Sequence, residues 1–379
     1  MSSLLRYAGQ DLEPHSHIVV LGSCKVGNFV VSTPVLRGLR YRFPMATIGF
    51  IGSAITSDFE SAHPALDWRL SWDESSSEPG LHLMQQISQF LSLHGPVQLV
   101  VNLDGFNPVT CVLAALILPK FVAGGCLTAN RRSQLPWGEL PQQRFLEDTD
   151  WDSPSFLERN SDWLGSNYIS ELFCHLAFVS EYVDPEFIDL PSEKPNFLVP
   201  DLLIHCTTAR PAKMWSFDYW HRVVDFASSN GWTVGLIGST PSAQRNAYNS
   251  GDGEDVLLAT TSLQDLRGRT TLIQLAGACR SAKAVISVDA GPLHIAAAVG
   301  TPTLAVVGND QNGVGASPIR LWMPRGENVT RTVSAITCSL CSEHRFRNSD
   351  CLVDDHPCME SVHPDQVIQW LRQFMQFPI

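Results

Sequence analysis

The sequence predicts an α/β protein made of two doubly wound halves of similar size. Three observations carry that reading. Short aliphatic or β-branched runs recur at residues 18–21, 46–51, 98–103, 202–205, 233–237, 284–288 and 303–307, each the length of a buried parallel strand. Stretches with helical spacing of apolar residues alternate with them, as at 29–43 and 217–229. Between the two series, residues 184–200 hold Pro185, Pro191, Pro195 and Pro200, the composition of a linker. A length of 379 residues suits two domains of ordinary size.

The totals narrow the function classes. Apolar residues make up 44% and charged residues 17%, which describes a chain with ample core. A formal charge of −12 with no basic run of useful length argues against a nucleic-acid partner. The N-terminal residues have no apolar core of signal-peptide length, and the most apolar stretch, 109–118, is too short to span a bilayer. Ten cysteines without an export signal suggest reduced thiols or a metal site rather than a disulfide framework. The expected compartment is the cytoplasm, with peripheral contact at the inner face of the membrane left open.

In order, residues 1–16 read as a loose arm and 17–190 as the first domain. Its first strand runs into Gly22-Ser23-Cys24-Lys25-Val26-Gly27-Asn28, a glycine-containing turn that does not form G-x-G-x-x-G, so no dinucleotide fingerprint is present. Helical spacing follows over 29–43, with Pro34 near its beginning as a limit on where the regular helix starts. The strand at 98–103 ends at Asp104-Gly105, and 109–118 reads as a helix. Residues 130–162, rich in Pro, Trp, Asp and Ser, read as a long surface excursion, a lid or acceptor-facing loop. A helix over 168–179 and a linker at 191–200 close the first half.

The second domain, 201–360, repeats the alternation: strand 202–205, loop 207–215, helix 217–229, strand 233–237 and helix 272–279. Residues 361–379 contain an amphipathic helix over 364–374, a candidate for packing back on the first domain. The organising stretch is 284–308. A buried strand ends at Asp289-Ala290-Gly291-Pro292, Leu293 opens a short Ala-rich helix, Gly300 stops it, and a second strand follows. Ligands of open α/β sheets bind beyond the carboxyl ends of the strands, and a helix N-terminus there favours phosphate. Gly291 lets an anion approach the backbone, and His294 lies in the first helical turn. The alternative is a crossover that binds nothing. Arg210 and Lys213 are basic candidates for the same anion.

Three segments carry a family resemblance. They are Gly27-Asn28-Phe29-Val30-Val31-Ser32-Thr33-Pro34-Val35-Leu36-Arg37, followed by Arg42-Phe43-Pro44; Arg210-Pro211-Ala212-Lys213-Met214-Trp215; and Asp289-Ala290-Gly291-Pro292-Leu293-His294-Ile295-Ala296-Ala297-Ala298, followed by Gly300-Thr301-Pro302. In order and placement the chain resembles the ADP-heptose:lipopolysaccharide heptosyltransferases, glycosyltransferase family 9. The resemblance implies a GT-B fold, two Rossmann-like domains facing across a cleft. It implies a nucleotide-sugar donor, ADP-heptose favoured, on the second domain and a glycan, protein or small-molecule acceptor on the first. Transfer would proceed with inversion, in one displacement, with no cofactor. Donor-binding candidates are Thr207, Thr208, Arg210, Lys213, Asp289, Ala290, Gly291, Leu293 and His294. A leaving nucleoside diphosphate gains negative charge, which cations and N–H dipoles would stabilise.

One departure stands out. The family's first loop places an Asp as general base, and this chain has Asn28. An amide can orient a hydroxyl but cannot take its proton. Asp104, ending a neighbouring strand, is the candidate base; the alternative role is a turn-stabilising Asp before glycine. A nucleotide-sugar-binding protein with impaired catalysis and a nucleotide-sugar epimerase on the same architecture are the rival readings.

Cys338, Cys341, Cys351 and Cys358 fall in one short polar segment. Four thiolates suit a closed tetrahedral site, so a structural zinc or iron is the expectation, with His344 or His356 able to replace one ligand. Some autotransporter heptosyltransferases of the resembled family hold iron this way, and such a finger would serve as an assembly element in a homo-oligomer. Reduced thiols in a surface hairpin are the alternative.

Overall fold

The computed structural model describes residues 4–73, 79–148, 151, 154–166, 168–308, 321–336, 338–344 and 348–374. The chain divides into two compact units, Met1–Asp189 and Leu190–Ile379. Among the described residues no helix is long and apolar enough to cross a membrane.

The first unit is built on a parallel sheet of β1 (Leu5–Arg6), β2 (His17–Leu21), β3 (Thr47–Gly52), β4 (Trp68–Ser71), β5 (Val97–Asn102) and β6 (Phe121–Gly124). The strands lie in the order β1-β6-β5-β2-β3-β4. Every residue of β2 is buried, as expected of a central strand covered on both faces. From β2 the chain winds outward to β3 and β4, then returns to β5 on the other side. The direction of winding therefore reverses between β2 and β5, where Leu21 pairs with Asn102.

Three expectations are corrected here. The arm expected at 1–16 is not loose at residues 4–7: Leu5 and Arg6 pair with Phe121 and Val122, Leu4 and Tyr7 are buried, and Arg6 donates to the carbonyls of Gly124, Leu135 and Pro136, while residues 1–3 lie outside the described residues. Two residues of strand are too few to show alternation. The first helix spans Val26–Arg42 and runs through Pro34 without a break. Pro34 has no N–H for the carbonyl of Val30, and the Thr33 hydroxyl donates to that carbonyl instead, at 2.9 Å. Residues 130–162 are not one open excursion. They include helical turns at Pro141–Arg144, Phe145–Glu147 and Pro154–Arg159, and Gln143 ties the first of these down by donating to the Tyr7 carbonyl at 2.6 Å.

The second unit repeats the plan with β7 (Leu202–His205), β8 (Val234–Leu236), β9 (Gln264–Asp265), β10 (Ala284–Val288), β11 (Thr303–Val306) and β12 (Val329–Thr332). The order is β12-β11-β10-β7-β8-β9, so the reversal lies between β7 and β10. The helix Phe217–Ser229 turns Trp220, Val223, Val224 and Ala227 into the core, and Trp220 meets Trp215 edge-on at 4.9 Å. The terminal helix, Pro364–Arg372, adds Val367, Trp370 and Leu371 to this same core. The Trp215 indole N–H donates to the Val362 carbonyl at 2.8 Å, and Arg222 pairs with Asp365 at 2.9 Å. The helix expected as a candidate for packing on the first domain thus contributes to the core of its own unit. Its apolar face matches the Phe217–Ser229 helix of its own unit.

Candidate functional site

Adjacent strands that lead to opposite sides of a sheet leave room between their exit loops, and ligands settle there. In the second unit those loops follow β7 and β10. The β7 loop passes through Thr207 and Thr208 to the single helical turn Pro211–Lys213, closed by the Lys213 N–H to the Arg210 carbonyl at 2.9 Å. Trp215, 1% exposed, pins the far end of the loop. The β10 loop begins at Asp289. The two loops meet through Lys213, whose Nζ donates to Asp289 Oδ2 at 2.5 Å.

Electrostatics follow from that contact. Burial alone would push the Asp289 carboxyl up, but the charge and hydrogen bond of Lys213, with His294 and Arg210, hold it below the usual carboxylate range. Asp289 is therefore ionised at neutral pH. An ammonium has three donors, so the bond to Asp289 orients Lys213 while leaving N–H groups to face an anion.

The helix Gly291–Ala298 starts from an extended Ala290 and has no side-chain cap. Its first amides are thus left for a ligand. One candidate is corrected: the Leu293 N–H donates to the Ala290 carbonyl at 3.1 Å and its side chain is fully buried, so Leu293 belongs to the packing of the turn. Ala290 and Gly291 carry N–H groups at this helix start, and Pro292 has none. His294 is 5% exposed, and burial pulls its pKa down to about 4 against the pull of Asp289. The ring is neutral at pH 7. Its Nδ1 is buried with no hydrogen-bond partner among the described residues. Such an atom costs about 1–3 kcal/mol, which a ligand oxygen would relieve.

The remaining donor candidates divide. Thr207 is buried, and its Oγ1 accepts from Gln244 Nε2 at 2.7 Å. The Thr208 carbonyl accepts from Asn249 at 3.0 Å. Both shape the loop. Arg210 directs Nε and Nη2 to Asn348, at 2.7 and 2.9 Å. Sequence reasoning missed Gln244 and Asn348, and no local pattern marks either, because each acts on residues far away in the chain. Gln244 also donates to Glu254 at 3.0 Å, and Glu254 pairs with the buried Arg267 at 3.0 Å, which fixes the β7 loop from below.

A pocket opens at this point, lined by Arg210, Ala212, Lys213, Asp289, Val306, Val307, Gly308, Cys341, Cys358 and Met359. The structure thus brings two of the four singled-out cysteines to the wall that Lys213 and Asp289 share. Among the described residues no group of three or more His, Cys, Asp or Glu is arranged to hold a metal ion, and the expected four-cysteine set, including Cys338 and Cys351, is not gathered there. Cys341 lies in the turn Leu340–Glu343, whereas Cys358 lies in Pro357–Glu360, packed against Gly308.

In the first unit the corresponding reversal brings the loops after β2 and β5 to one sheet edge. Asn28 stands in the first turn of Val26–Arg42, its Nδ2 donating to Ser23 Oγ at 2.6 Å. Asp104 follows β5, accepts from Asn107 Nδ2 at 3.0 Å, and is partly buried. Burial pushes its carboxyl up, opposed by Asn107 and the charge of Lys25. Lys25 belongs to the β2 loop, so the two loops are neighbours electrostatically.

Residues 187–349 match the model of glycosyltransferase family 9 (heptosyltransferase). They are a family 9 glycosyltransferase domain. The match covers the Lys213 turn, Asp289 and the helix after it. Over 94% of the chain, the protein is 24% identical to lipopolysaccharide heptosyltransferase 2 of Escherichia coli K12, covering 98% of that relative. Among solved structures, a family 9 glycosyl transferase from Veillonella parvula aligns over 96% of this chain and 98% of its own, at TM-score 0.69 and 14% identity. The E. coli ADP-heptose lps heptosyltransferase II aligns over 95% and 98%, at TM-score 0.66 and 16% identity. The two parallel units are those of the GT-B fold, and the protein is a glycosyltransferase.

Proposed function

We propose that this protein transfers a heptose-type sugar from an ADP-activated donor to a carbohydrate, protein or small-molecule acceptor, with inversion at the transferred carbon. The observation that carries the reading is the Lys213–Asp289 pair at the β7/β10 reversal, beside a helix start at Ala290 and Gly291 that has no side-chain cap. A diphosphate seated there would receive charge from Lys213 and N–H dipoles from the helix start. Both strengthen as negative charge develops on the leaving group, which lowers the barrier rather than merely the ground state. The neutral His294 adds a polar atom without adding a charge that would trap the product.

On the first unit the acceptor hydroxyl must lose a proton as the glycosidic bond forms. Asn28 orients and cannot accept it. Asp104 is the carboxylate at the same sheet edge, and its raised pKa makes it a stronger base than an exposed Asp. The test is release of ADP from ADP-heptose in the presence of candidate acceptors, with the anomeric configuration of the product read by NMR. Acceptor-dependent ADP release with an inverted linkage supports the reading. A retained linkage, or isomerised donor without acceptor, overturns it.

Asn28 also motivates a second reading, in which the donor site persists and transfer is lost. Nucleotide-sugar binding without turnover for any acceptor would favour it.

A further inference from the structure

Arg210 sits three residues before Lys213 and lines the same pocket, with two of its nitrogens engaged by one residue. Its Nε donates to the backbone carbonyl of Asn348 at 2.7 Å and its Nη2 to Asn348 Oδ1 at 2.9 Å. A planar guanidinium forked onto two acceptors of one residue fixes direction as well as distance. Asn348 then passes the constraint on, donating through Nδ2 to Cys341 Sγ at 3.3 Å and to the Asp350 carbonyl at 2.8 Å.

Two more bonds join the same segments. The Ala212 N–H donates to the Ser349 carbonyl at 3.0 Å, and the His356 ring Nε2 lies 2.9 Å from the Ala212 carbonyl. Residues 210 and 212 are therefore both fastened to 348–356, and Lys213 follows directly. The same stretch of chain delivers Cys358 to the pocket wall, beside Gly308, where an added Cβ would stand 3.0 Å from its sulfur. Cys341 reaches that wall from the preceding turn.

We propose that residues 348–358 act as a clasp on the donor pocket. The Arg210–Asn348 fork positions Lys213 for a diphosphate, and Cys341 and Cys358 form a thiol wall beside it. This rests on the donor reading above. It makes Arg210 and Asn348 positioning residues rather than phosphate ligands. It also makes donor binding sensitive to modification of the two thiols, since any added group occupies the pocket.

The test is calorimetric titration of ADP and AMP into the full-length wild type, Asn348→Ala, Asn348→Asp and Arg210→Lys. Alkylation of Cys341 and Cys358 by iodoacetamide is followed by peptide mass spectrometry with and without ADP. Loss of an oriented charge-assisted contact should weaken ADP about tenfold in Asn348→Ala and Arg210→Lys. AMP, which lacks the second phosphate, should change less than about twofold on the same grounds. Asn348→Asp keeps both acceptors for Arg210 and should recover most of the ADP affinity. ADP should slow alkylation of both cysteines.

Unchanged ADP affinity in Asn348→Ala, with wild type binding normally, overturns the clasp and leaves the donor reading standing. Equal losses for ADP and AMP overturn the positioning role. Alkylation indifferent to ADP removes the thiol wall. If Asn348→Ala does not fold, Arg210→Lys decides on the same scale. A wild type that binds no ADP overturns both readings.

Discussion

Lys213 and Asp289 are 76 positions apart in the chain and 2.5 Å apart in space, joined because β7 and β10 are neighbours that send their loops the same way. The pairing holds a cation in place before any ligand arrives. Preorganisation of this kind is what makes a charged group effective, since no reorganisation is needed when charge develops.

Lys213→Ala should therefore weaken ADP binding by about tenfold or more, the scale of a lost charge-assisted contact. Asp289→Asn should cost less, because the cation remains but is less well directed. The two effects should fall short of additive in the double variant, as expected for groups in contact. Calorimetry on the three variants checks this. Full additivity would mean that Asp289 acts elsewhere.

Asp104 and Asn28 separate by their roles. Asp104→Asn should abolish turnover and spare ADP binding. Turnover in the wild type should fall on the acid side, through a pKa above the ordinary Asp value because burial raises it. Asn28→Asp restores a carboxylate at the first loop and should raise turnover of the Asp104→Asn variant. Steady-state rates against pH give the answer, and an active Asp104→Asn enzyme removes Asp104 from the chemistry.

Two buried histidines contribute to the acid response of stability. Burial lowers both His63 and His294 from 6.5 to about 4. An unfolded chain binds more protons than the folded one between those values. Their contribution to stability is therefore complete above pH ~6.5 and is lost as pH drops toward ~4. His294→Gln should flatten part of that slope in thermal melts between the two values. An unaltered slope would place the acid sensitivity in other groups.

The terminal helix is a structural part of the donor unit. Leu371 is fully buried in the same core as Trp220, so Leu371→Ala should cost about 3 kcal/mol, the usual range for a deleted core leucine. Urea melts should show that loss together with weaker ADP binding, because Trp215 ties the β7 loop to the segment just before this helix.

Much of the fold was legible in the residues. The runs at β2, β5, β7 and β10 are mostly aliphatic and almost wholly buried, which leaves a buried parallel strand as their natural state. The peripheral strands were not. β4 carries Arg69 and β12 carries Arg331 on short, partly exposed runs, while β9 has only two exposed residues; none holds enough apolar pattern to be read. The helix through Pro34 was hidden because its compensation is a single hydroxyl, that of Thr33.

By itself the sequence determined the strand–turn–helix unit at Asp289–Ala298, because Gly291, Pro292 and an apolar run dictate a turn and a helix start through local sterics and hydrogen bonding. It also determined the residue types available for phosphate and for proton transfer. Only the tertiary structure decided which of them meet. Strand order brought Lys213 to Asp289, engaged Arg210 with Asn348, spent the Leu293 amide inside its own turn, and set two cysteines rather than four at the pocket. Those are consequences of packing between distant segments, where burial and hydrogen-bond satisfaction select one arrangement that no local pattern encodes.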